Sequence, residues 1–168
     1  TSPRSARDGV GTYLIGDSDV IYHTVKSKLL ARTGKLGEAI TSSKLAVQKG
    51  RDQLKIENIT HDRHRFMGRM NYLRALYLLS SQQTAAGAYT DAESSLREAY
   101  QAIRNFGFSD TVAAGFFFTV ADLYNANGDF KEALAFAQRG EKIILSNGFL
   151  PGSINWLAAQ TRAQMAKV

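Results

Sequence analysis

Cysteine is missing from the 168 residues, and proline occurs only twice, at Pro3 and Pro151. Without cysteine there is no disulfide framework and no thiolate metal centre, while the redox compartment stays open. With so little proline, nothing interrupts a helix between those two positions. No apolar run approaches the roughly 18 residues of a membrane span. The first residues, TSPRSARDG, contain neither an initiating Met nor the apolar stretch of a secretory signal. The chain ends on AQMAKV, still in a helical pattern, so the sequence reads as a piece of a longer, cytoplasmic protein.

What is present is a core-forming composition. Hydrophobic residues make up 44% of the chain, too many for a disordered polymer and enough for a packed domain. Net charge is +6, unevenly spread: residues 1–74 hold 14 Lys and Arg against 7 Asp and Glu, whereas residues 75–168 hold 7 against 8. A basic half suits an anionic partner, although the commoner fate of such charge is the solvated face of a long helix.

Residues 127–133, NGDFKEA, look like a helix stop followed at once by a helix start. A shift of 41 residues places them on AGAYTDA, residues 86–92, so that Gly128 meets Gly87, Phe130 meets Tyr89 and Ala133 meets Ala92. The same shift pairs Gly148-Phe149 with Gly107-Phe108, Val120 with Leu79 and Ala121 with Ser80. A further copy, TGKLGEA at residues 33–39, stands 53 residues before the second, with 12 extra residues in between. Each matched position has a physical use. Glycine after a helix takes the left-handed C-cap without a Cβ penalty. The large residue two positions on fills the angle between the helices, and the alanine lets their axes approach closely.

The pattern predicts helices near 18–33, 36–56, 61–85, 89–106, 110–126, 130–147 and 153–168, with Ser109 and Ser153 as N-caps. Residues 1–17 are expected to be an irregular leader. The array at 18–168 then comprises hairpins over 18–56, 61–106 and 110–147 and an unpaired seventh helix at 153–168. The 12 extra residues predict longer helices or a longer linker between the first two hairpins.

These residues resemble the tetratricopeptide repeat (TPR), in a long-period form like that of bacterial signalling and regulatory proteins. The third copy carries the resemblance best, through Phe117, Val120, Ala121, Tyr124, Asn127-Gly128, Phe130 and Ala133. The second matches with Leu76, Leu79, Ser80, Gly87, Tyr89, Ala92 and Ala99, but has Gln83 where the family prefers Tyr. The first matches at Leu30, Gly34, Leu36, Ala39 and Ala46, with Lys26 at a usual Leu position. Trp156 would open a fourth copy. The period exceeds the family's usual length of about 34 residues.

The resemblance implies an all-α, right-handed TPR-like α-solenoid that binds a protein or peptide in its concave groove. The family's groove positions fall on Thr24, Lys28 and Arg32, then on Arg74, Tyr77, Ser81 and Thr84, then on Phe118, Asp122 and Asn125. Such a lining of cations, aromatics and hydrogen-bonding groups suits a protein partner, including an acidic one. The Lys/Asn/Asn/Lys/Arg set with which one subfamily clamps a C-terminal carboxylate is not there, since Thr24, Tyr77 and Phe118 fall at its Lys positions.

Other motifs carry less. His61 and His64 in HDRHR have no third ligand for zinc, so no metal is expected. His61, Arg65 and Arg69 recur every four residues as a basic stripe that suits phosphate or carboxylate, or simply water. The glycines of GVGTYLIG at 9–16 fit no nucleotide loop, and GFFFTV at 115–120 reads as core. No nucleophile elbow or catalytic constellation is present, and neither catalysis nor a cofactor is expected. The rival reading is a sensor array that binds a small effector and controls an attached output domain. A nucleic-acid-binding array ranks behind it for want of a reading motif. No membrane partner is expected. The apolar side of the last helix, with Trp156 and Leu157, offers a route to a homo-oligomer.

Overall fold

The computed structural model describes residues 4–55 and 62–147, and all of the regular structure among them is helical. Helix α1 covers Arg4–Arg32, α2 Leu36–Leu54, α3 Asp62–Ala85, α4 Tyr89–Phe106, α5 Asp110–Asn127 and α6 Phe130–Ser146. The proposed seventh helix, with Ser153, Trp156 and Leu157, lies outside the described residues, as do His61 and the Gly148-Phe149 pair.

One expectation needs correcting. Residues 4–17, read as an irregular leader, form the first half of α1. Gly9, Gly11 and Gly16 each lower helix propensity by about 1 kcal/mol relative to alanine. Unlike proline, however, glycine keeps its N–H, so the helical hydrogen bonds stay available. The extra length of the first repeat is half explained by α3, which has 24 residues where α5 has 18.

The three repeated turns share one hydrogen-bond pattern. Gly34, Gly87 and Gly128 all have positive φ, at 78°, 74° and 90°. The next residue in each donates its N–H back across the turn, Lys35 to Leu30 at 2.9 Å, Ala88 to Gln83 at 2.8 Å and Asp129 to Tyr124 at 2.9 Å. Ala39, Ala92 and Ala133 then donate to Lys35, Ala88 and Asp129, opening the following helix. Lys35, Ala88 and Asp129 adopt nearly the same backbone angles, and none caps through its side chain. The turn geometry therefore belongs to the glycine and not to the cap residue. Ser109 is the N-cap of α5, as expected, but its hydroxyl makes no capping bond.

The chain divides into two compact units, residues 1–82 and 83–168. In the first, α1 and α2 run antiparallel: Ser27 reaches Ala39 O at 2.9 Å, Ser42 reaches His23 O at 3.0 Å, and Asp19 pairs with Lys49 at 3.2 Å. Helix α3 packs on both through Gln82, and its Tyr72 lies against Gly50 of α2. The core is small-grained, with Val20, Ala39, Ala46, Val47, Leu73, Ala75 and Leu76 all buried.

In the second unit, α4, α5 and α6 alternate in direction. Tyr89 at the start of α4 donates its hydroxyl to Ala126 O near the end of α5, at 2.9 Å. Tyr124 and Phe117 of α5 stack on Phe136 of α6, and the Arg139 guanidinium sits 4.6 Å from the Phe117 ring centre. Gln83, which the 41-residue shift places on Tyr124, accepts from Ser95 of α4 at 2.8 Å. A polar pair there does the work of joining helices that the stacked Tyr124 does in the third copy.

Candidate functional site

An opening lies in the first unit, between α1 and α3. It is an open trough of about 470 Å³. Helix α1 contributes Val20, Ile21, Thr24, Val25 and Lys28, which recur at three- and four-residue spacing and so share one face. Helix α3 contributes Asn71, Arg74, Tyr77, Leu78 and Ser81 by the same periodicity. Five of the groove positions that the resemblance implies, Thr24, Lys28, Arg74, Tyr77 and Ser81, thus line one trough. Arg32, in the last turn of α1, is exposed and outside it.

Polar groups are unevenly satisfied here. Thr24 is tied down, its hydroxyl donating to Val20 O at 2.7 Å. Lys28 and Arg74 are exposed and have no ion-pair partner among the described residues. No carboxylate lines the trough. The Tyr77 hydroxyl is buried without a hydrogen-bond partner among the described residues, and burial pushes its pKa above the usual tyrosine range. Such a buried, unpaired hydroxyl costs about 1–3 kcal/mol.

A second hollow of about 370 Å³ runs along α1 beside the first, lined by Tyr22, Val25, Lys26, Leu29, Leu30 and Thr33. Val25 borders both. Tyr22, Leu29, Ile21 and Val25 are 60%, 57%, 50% and 50% exposed, an apolar stripe open to solvent. The repeat pattern does not single out these residues, because an apolar side chain on a helix reads as core by default. Their joint spacing with Thr24 and Lys28 was the available signal.

The remaining groove candidates belong to the second unit. Thr84 is half-buried near the end of α3. Phe118 is half-buried and packs within its own hairpin, its ring edge 3.0 Å from where a Cβ on Gly140 would stand. Asp122 is partly exposed, yet burial among its neighbours holds its carboxyl above the usual carboxylate range. Asn125 lies one turn further along α5.

The basic stripe divides. Arg65 and Arg69 lie on α3 outside the trough, and both are engaged in interactions of their own. Among the described residues no cluster of three His, Asp or Glu could hold a metal ion, and no helix is long and apolar enough to cross a membrane. Compared with known protein families, with curated proteins and with solved structures, the chain gives no match.

Proposed function

We propose that the chain is a TPR-like binding module that takes a peptide segment of a protein partner in the trough between α1 and α3. The observation that carries this reading is the convergence of Thr24, Lys28, Arg74, Tyr77 and Ser81, chosen from the first helices of two successive repeats, on one opening. The identical turns at Gly34, Gly87 and Gly128 support the repeat itself. Stacking of the hairpins into a right-handed solenoid that ends in a seventh helix belongs to the same proposal. An open trough with apolar walls and a few polar groups suits an extended ligand. A small effector favours an enclosed pocket that removes most of its surface from water. The module acts by binding and carries no chemistry of its own.

Affinity capture with mass spectrometry tests the reading, wild type beside Ser81→Trp. Ser81 is exposed at the trough, so the indole fills the opening without entering the core. Capture of a protein by wild type and its loss from the folded variant supports the proposal. The same proteins captured by both would place the partner elsewhere on the chain.

A further inference from the structure

The trough is lined by two cations and by no carboxylate. Four cations elsewhere pair with carboxylates close by: Lys49 with Asp19, Lys35 with Glu38, Lys55 with Asp52 and Arg97 with Glu93. Lys28 and Arg74 face each other's trough from α1 and α3 with no carboxylate in its lining. The adjoining hollow adds Lys26 and again no acid. Two exposed cations beside a half-exposed apolar stripe are complementary to a ligand that is both anionic and apolar.

Val25 sets the spacing. It lines both hollows, so the two openings adjoin at this side chain. A segment that follows α1 meets an apolar recess on each side of Val25, with the cations of the trough alongside. A nucleic-acid backbone fits worse, since its regularly spaced phosphates would lie against Val20, Ile21, Val25 and Leu29 for most of their length.

We infer that the partner segment is acidic and apolar at once: its carboxylates pair with Lys28 and Arg74 while two large apolar side chains enter the recesses on either side of Val25. This rests on the peptide-binding reading above and specifies its ligand. Charge-assisted bonds to Lys28 and Arg74 supply register and selectivity, and the recesses supply most of the affinity.

The test uses the full chain and fluorescein-labelled synthetic peptides of about a dozen residues, enough to follow a groove of this kind. Four compositions are compared by fluorescence anisotropy: Glu with Leu, Gln with Leu, Glu with Ser, and Lys with Leu. A single-stranded oligonucleotide is the fifth probe. The Glu/Leu peptide is expected to bind roughly tenfold or more tightly than each of the others, and to weaken with salt. Lys28→Glu/Arg74→Glu should abolish that preference and favour Lys/Leu. Lys28→Gln/Arg74→Gln should level Glu/Leu with Gln/Leu. Both pairs are exposed, and an unchanged melting temperature shows that the fold persists.

Equal binding of Gln/Leu and Glu/Leu, with loss of both on Ser81→Trp, overturns the acidic ligand and leaves the peptide groove standing. Tighter binding of the oligonucleotide, or no binding of any peptide, overturns both readings.

Discussion

Gln82 donates through Nε2 to Ser27 Oγ across 2.6 Å, deep in the first unit. Ser43 closes the set, donating to Gln82 Oε1 at 2.8 Å and standing 2.7 Å from Ser27 Oγ. Ser27 also reaches Ala39 O at 2.9 Å. All three side chains are buried, and they come from α1, α2 and α3. The two hydroxyl protons and one amide proton serve four contacts, so one hydroxyl proton is shared: that of Ser27 between Ala39 O and Ser43 Oγ, or that of Ser43 between Gln82 Oε1 and Ser27 Oγ. The neighbouring Gln83 turns instead to Ser95 in the second unit.

Replacing Gln82 by Leu removes an acceptor and a donor while leaving two buried hydroxyls in place. We expect a loss of about 1–3 kcal/mol, the usual cost of stranding buried polar groups. Adding Ser27→Ala and Ser43→Ala to Gln82→Leu should recover part of it, because an apolar trio strands nothing. Urea unfolding of the single and triple variants measures both. Wild-type stability in Gln82→Leu would mean that the cluster contributes no net energy.

Gly140 fills the place that Ala46 and Ala99 hold in the earlier copies, and it is opposite Phe118, which holds the position that Thr24 and Tyr77 occupy in those copies. A Cβ there would stand 3.0 Å from Phe118 Cε1 and Cζ and 3.3 Å from Ala114 O. Gly140→Ala should therefore cost about 1–3 kcal/mol by overpacking, despite the helix propensity it gains. Gly140→Ala with Phe118→Leu should be milder than Gly140→Ala alone. Equal destabilisation in the single and double variants would show that the ring is not the obstacle.

These two sites mark where the sequence is legible and where it is not. The helix ends are legible because glycine at positive φ leaves a local signature, and the buried Ala39, Ala92 and Ala133 are legible because they recur in step with it. The start of α1 is not, since three glycines look like a loop while the backbone can still be helical. The Ser27–Ser43–Gln82 cluster is hidden for a different reason. Its residues are polar and far apart in sequence, so each reads as surface until tertiary packing brings the three together. In the trough, Lys28, Arg74 and Tyr77 stand at positions that the resemblance implies. The apolar residues Ile21 and Val25 could not be told from core, because periodicity identifies a face and not what covers it.

Asp122 is a titration probe for the second unit. Burial raises its folded pKa above that of the unfolded chain, so the ionised form is disfavoured by folding. The sign follows from linkage: stability falls as pH rises from about 4 through the raised pKa, and the penalty persists at neutral pH. Asp122→Asn should melt higher than wild type at pH 7, and the difference should vanish below about pH 4, where both side chains are neutral. Thermal melts across that range decide it. A gap that widens in acid would reverse the assigned shift.

Tyr77 sets the local cost of the trough against its use. Its ring helps to wall the opening, while its hydroxyl is buried with no partner among the described residues. Tyr77→Phe keeps the wall and deletes the stranded donor, so the free protein should gain about 1–3 kcal/mol in chemical unfolding. Tyr77→Ala removes the wall as well and should lose about 3 kcal/mol, through the space left by the half-buried ring. The two variants separate a hydroxyl held at a cost from a ring needed for packing. If Phe at this position destabilises the free protein, the hydroxyl has an acceptor in solution, and the trough in its unliganded state is more polar than the static structure describes.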